Sequence, residues 1–132
     1  MVREFEFFVQ RGEVKKQAID KNLAAANRKE SVERLELAKV LLKMKKYKYA
    51  LENAYEAARE YADAFLYEKG YKSYSHEASI AFLLKEGFSG RIILELDRFR
   101  KIRNDIKYYG KDCEESDAIA AIQLAESLIQ KR

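Results

Sequence analysis

The feature that most constrains this chain is an absence: it has no proline and only five glycines in 132 residues. Proline in a helix interior costs about 3 kcal/mol and glycine about 1 kcal/mol relative to alanine, so the sequence runs for long stretches without a helix breaker. Those stretches are filled by Ala, Leu, Glu, Lys and Arg, the residues that lose least on entering a helix. The glycines at 12, 70, 87, 90 and 110 punctuate them, and helices are expected between these points. An all-α chain follows.

Apolar periodicity fills in the elements. Residues 13–45 space Val14, Ala18, Leu23, Ala26, Val32, Leu35, Ala38, Leu41 and Leu42 mostly three to five apart, a helical period. That spacing leaves open one long helix or two parted around Asn27–Ser31. Residues 47–69 carry a stripe of Leu51, Ala54, Tyr55, Ala58, Tyr61, Ala62, Phe65 and Leu66. Its small residues admit a neighbouring helix, its aromatics fill the gaps, and Gly70 ends it. Ser75 is expected to cap a short helix to Glu86, and Ser89 or Gly90 to open the next, with Ile92, Ile93, Leu96, Phe99, Ile102 and Ile106 inward. Ser116 is expected to open the last, whose apolar residues are Ala118, Ile119, Ile122, Leu124, Ala125, Leu128 and Ile129. Asp117 at its start and Lys131 and Arg132 at its end suit the helix dipole. Four main helices on short connections predict an antiparallel four-helix bundle, with room for an additional short helix. The length predicts a single domain over residues 1–132.

Several chemistries are excluded. A net charge of +4 with 36% charged residues allows a nucleic-acid partner without demanding one. The lone Cys113 permits neither an internal disulfide nor a cysteine-based zinc site and suits a reducing cytoplasm; Asp112, Glu114 and Glu115 beside it oppose a thiolate. The N-terminal Met-Val-Arg-Glu-Phe-Glu-Phe-Phe is too charged to read as a signal peptide. No apolar run approaches the roughly 18 residues of a membrane span. His76 follows the Ser75 cap; as the one histidine it cannot complete a zinc set, and the sequence gives it no catalytic role. No glycine-rich phosphate loop or Gly-x-Ser-x-Gly elbow is present. No metal and no cofactor are expected.

Two tracts remain. On a helix turning about 100° per residue, setting Arg103 at 0° puts Lys107 at about 40°, Arg100 at about 60°, Asn104 at about 100° and Tyr108 at about 140°. Ile102, Ile106 and Phe99 fall at about 260–320°. The front of such a helix, with three cations, an amide and a phenol, suits a phosphate-bearing ligand; an ordinary solvated face looks the same. In Lys43–Tyr49, lysines interleave with tyrosines. That pattern either tracks a phosphate backbone and stacks bases or shields a corner between helices with lysine stems.

Arg103-Asn104-Asp105-x-x-Tyr108-Tyr109-Gly110, closing a late helix, resembles the signature of the HEPN domain superfamily, small all-helical domains. The Ala- and Tyr-rich stretch Tyr49–Tyr71 resembles the superfamily's second helix and Ser75–Ala78 the entry to its next one. The match runs over about residues 28–130. The resemblance implies nucleotide or RNA binding through Arg103, Asn104 and Tyr108, flanked by Arg100 and Lys107. It also implies a homodimer whose motif helices face each other across one shared basic cleft, and a minimal nucleotidyltransferase partner in a toxin–antitoxin pair. Nuclease members carry a histidine four to six residues beyond the arginine, where this chain has Tyr108. Ionising a phenol of pKa near 10 at neutral pH costs about 4 kcal/mol, roughly a thousandfold in rate. Ribonuclease activity through Arg103 and Tyr108 is therefore expected to be weak or absent. An active metal-independent ribonuclease and a non-catalytic dimeric interaction module are the alternatives.

Overall fold

The computed structural model describes residues 2–130. In chain order these form α1 (Phe5–Gln10), β1 (Val14–Lys16), α2 (Lys21–Lys43), α3 (Tyr47–Lys69), β2 (Tyr71–Ser73), α4 (His76–Lys85), α5 (Gly90–Tyr109) and α6 (Glu115–Gln130). No described helix is long and apolar enough to cross a membrane.

α2 and α3 lie antiparallel, since Arg28 meets Glu68 while Arg34, further along α2, meets Glu60 and Asn53, earlier in α3. α2 is one helix. Asn27–Ser31 does not break it, because the Ser31 hydroxyl is buried and donates to the Arg28 carbonyl at 2.7 Å instead of capping a new start. The start is at Asp20, whose carboxylate accepts the Leu23 N–H at 2.9 Å. α3 is the central element. Ala50, Leu51, Ala54, Tyr55, Ala58, Ala62 and Leu66 are almost wholly buried and share one core with Phe5 and Phe8 of α1, Leu35 of α2, Ile80 and Leu83 of α4, Leu96 and Phe99 of α5, and Leu128 of α6.

The sequence pattern fails at residues 13–20, which form no helix. Val14–Lys16 pairs antiparallel with Tyr71–Ser73 instead, Val14 opposite Ser73. Gly70 ends α3 at φ +81 in the left-handed region, and its carbonyl accepts the Gln17 N–H at 2.9 Å. The chain leaving α3 thus offers a strand edge, and long-range pairing overrides a short helical pattern.

The caps fall close to their predicted places. Ser75 accepts the Ala78 N–H at 3.2 Å to open α4, and Ser89 accepts the Ile92 N–H at 3.3 Å to open α5. α5 ends at Gly110, φ +65. α6 begins just before Ser116, with the Asp117 carboxylate accepting the Glu114 N–H at 3.3 Å. Ile119 stays exposed; Lys131 and Arg132 lie outside the described residues. Tyr47, at the start of α3, donates to Glu115, at the start of α6, at 3.2 Å. The α2–α3 and α5–α6 turns therefore share one end of a helical bundle, with α4 packed between α3 and α5.

Candidate functional site

The α5 tract does not form one solvated front. Arg103 is only 8% exposed. On the angular scale that puts it at 0°, Leu96 falls at about 20°, Ile93 at about 80° and Phe99 at about 320°, and all three are buried. Arg103 thus sits in the middle of the inward side. The solvent side, at about 140–240°, carries Leu94, Arg98, Lys101, Tyr108 and Tyr109, all exposed. Arg100 and the half-buried Asn104 stay near Arg103, whose guanidinium donates to the Asn104 amide oxygen at 3.3 Å. Lys107 and Tyr108 point into solvent. The structure therefore joins three of the five predicted site residues and separates the other two.

Arg103 enters a polar network between α3, α4 and α5. Tyr55, Glu56, Arg59 and Asp63 recur at helical spacing along α3 and supply one wall. Arg59 donates to Asp63 at 2.7 Å and to Glu56 at 2.9 Å. Arg103 pairs with Glu56 at 3.5 Å, and its guanidinium lies 6.0 Å from the Tyr55 ring centroid. From α4, Ser79 donates to Asp63 at 2.6 Å, and the ring of His76 stacks beside Tyr55 with Nδ1 3.0 Å from the phenol oxygen. Arg100 bonds Asp97 at 2.8 Å on its own helix and pairs with Glu77 of α4 at 3.5 Å.

This setting moves several protonation equilibria. Burial, then the charge of Arg59, lower the His76 pKa to about 4, against the opposing pull of Glu56; at neutral pH the imidazole is uncharged. Burial alone would raise Glu56, but the hydrogen bond and charge of Arg59, with help from Arg103, hold its carboxyl below the usual range. Burial raises Asp63 despite Arg59 and the Ser79 hydroxyl. Burial also pushes the Tyr55 phenol far up, so it remains a neutral hydrogen-bonding group. Away from the network, burial and then Asp117 and Asp112 raise Cys113 to about 11, in keeping with the unreactive thiol expected from its neighbours.

Chemically, two guanidiniums converge near the first turn of α4, where backbone N–H groups and the helix dipole favour an anion. One His76 ring nitrogen, Nδ1, is engaged by the Tyr55 hydroxyl. Sequence reasoning set His76 aside, since its partner Tyr55 lies on another helix. A signal was available: Glu56, Arg59 and Asp63 run beside an otherwise apolar stripe, so a half-buried row of charges had to meet partners on a neighbouring helix. Two open grooves of about 500 Å³ lie elsewhere, one between α5 and α6 at Arg91, Arg98 and Gln123, the other along α3 at Arg28, Phe65 and Glu68. Neither groove gathers buried charged groups around an imidazole, as the α3–α4–α5 network does.

A sequence model of the HEPN domain matches residues 24–131, a span that contains every residue of this network. Comparison with curated proteins finds no match.

Proposed function

From the premise that this chain belongs to the HEPN domain family, we propose that it binds a phosphate-bearing ligand, a nucleotide or RNA, where α4 begins against α5. Membership in that family suggests a nucleotide- or RNA-related function. The observation that carries the finer reading is Arg103: nine-tenths buried, its Nε–H without a protein acceptor, close to Arg100 and the imidazole of His76. Arg100, whose outer partner is the half-exposed Glu77 at 3.5 Å, is the cation best placed to exchange that partner for a phosphate. Asn104 orients Arg103. Tyr108, about 140° around the helix from Arg103, is too far round to relay a proton there, so cleavage by that pair is weak or absent. The reading includes a homodimer, supported by half-exposed Val40, Leu84 and Leu94, and a minimal nucleotidyltransferase partner in a toxin–antitoxin pair.

Calorimetric titration with UMP and with a twelve-nucleotide oligouridylate tests this. Arg100→Ala should weaken UMP by about tenfold, the scale of one charge-assisted hydrogen bond, and because the buried Asp97 keeps Lys101 at 3.5 Å the fold should survive with a stability loss of about 1–2 kcal/mol. Light scattering at micromolar concentration should give twice the chain mass. Absence of any affinity for either probe would favour the interaction-module reading, in which the Arg103–Glu56 pair is purely a brace between α5 and α3.

A further inference from the structure

We propose that the end of the bundle where α2 turns into α3 and α5 turns into α6 is a second binding surface, a stacking platform for single-stranded nucleic acid. Two tracts far apart in sequence meet there. Tyr47 and Glu115 are hydrogen-bonded at 3.2 Å, which fixes the two turns side by side. The first turn brings Lys43, Lys45, Lys46, Lys48 and Tyr49; the second brings Lys107, Tyr108, Tyr109 and Lys111.

Three features distinguish this end from an ordinary solvated corner. Its aromatics are open, with Tyr49 50% exposed, Tyr108 64% and Tyr109 75%, although tyrosine usually buries most of its ring. Its cations are unanswered: among the described residues the ion-paired lysines are Lys39, Lys85 and Lys101, none of these six. Of the carboxylates nearby, Asp112 accepts the Cys113 N–H, Asp117 the Glu114 N–H and Glu115 the Tyr47 hydroxyl. The third feature is repetition. The Lys48 ammonium lies 5.3 Å from the Tyr49 ring centroid, and the Lys107 ammonium 5.7 Å from that of Tyr108. Each pair sets a cation for a phosphate beside a face for a base, the two contacts by which single strands are held without sequence readout. A duplex, whose bases are already stacked, can use only the lysines.

The surface does not depend on the α4–α5 cleft, and one experiment separates the two. Anisotropy of a labelled twelve-nucleotide oligouridylate is measured against salt, with UMP titrated in parallel. The single strand should bind, and Tyr49→Ala and Tyr108→Ala should each weaken it about tenfold. Lys48→Gln and Lys107→Gln should each reduce the slope of log affinity against log salt by about 0.7. UMP affinity should stay as in the wild type, because none of these residues lies in the cleft. Oligouridylate affinity indifferent to all four substitutions, blunt duplex RNA bound as tightly as the single strand, or no oligouridylate binding at all would each overturn the platform. Loss of UMP binding in Arg100→Ala with the platform effects intact would confirm both sites, and no UMP binding by the wild type would remove the cleft alone.

Discussion

The α3–α4–α5 network and the lysine-rich end of the bundle are built from the same residue types, cations set against tyrosines, and behave in opposite ways. In the network every guanidinium has a carboxylate: Arg59 holds Glu56 and Asp63, Arg103 meets Glu56, and Arg100 meets Asp97 and Glu77. At the bundle end the lysines face water and the rings of their own neighbours. Burial makes the difference. A charge inside that its own chain leaves unanswered costs the fold about 3–5 kcal/mol, whereas a charge outside is answered by water. Which apolar residues flank a basic, tyrosine-bearing helix face therefore decides whether its cations are held by the chain's own carboxylates or stand open to water.

The comparison breaks most visibly at Arg59. Arg59→Ala leaves Glu56 and Asp63 without their shared partner and should cost about 3–5 kcal/mol in urea unfolding. A loss below about 1 kcal/mol would mean that the network is as loose as the bundle end. Next in size is the Glu56–Arg103 pair. A double-mutant cycle of Glu56→Gln and Arg103→Met should give a coupling of about 1–2 kcal/mol, and additivity would take Arg103 out of the network.

His76 sharpens the contrast through pH. Its folded pKa, about 4, lies below the unfolded value near 6.5, so between these values the unfolded chain binds more protons and stability rises with pH. The contribution is complete above pH 6.5 and is lost as pH falls towards 4. With the imidazole partly open to solvent, screening reduces it to about 1 kcal/mol. Asp63, raised by burial, acts in the opposite sense, so the measurement is the difference between wild type and His76→Gln across that range. A flat difference would place His76 in water. The smallest effect belongs to the bundle end: Lys48→Gln and Lys107→Gln should each change stability by less than about 0.5 kcal/mol. A larger loss would reveal a hidden partner.

Much of the fold was legible because its signals are local. Ser75, Ser89, Gly70 and Gly110 mark helix ends by their own side-chain or backbone chemistry, and the stripe of α3 names its buried side. What stayed hidden depends on contacts between distant segments. Val14–Lys16 is a strand only because Tyr71–Ser73 lies beside it. The HEPN resemblance picked out the helix that carries Arg103, but setting its front against Ile102, Ile106 and Phe99 alone left out the inward Ile93 and Leu96, whose angles carry the buried side of the helix across to the arginine. His76 could not be paired with Tyr55 from a chain in which they stand 21 residues apart.

Gly70 carries a consequence for how freely this sequence can drift. Gly12, Gly87 and Gly110 also sit at positive φ, yet a side chain built on any of them would meet open space; asparagine, which tolerates the left-handed region, could replace glycine there. At Gly70 a Cβ would lie 2.9 Å from the Gln17 carbonyl oxygen, on the backbone that β1 leads into α2. Two independent demands fall on one position. Among relatives that keep the β1–β2 ladder, the other three glycines are free to wander to asparagine, and this one is not.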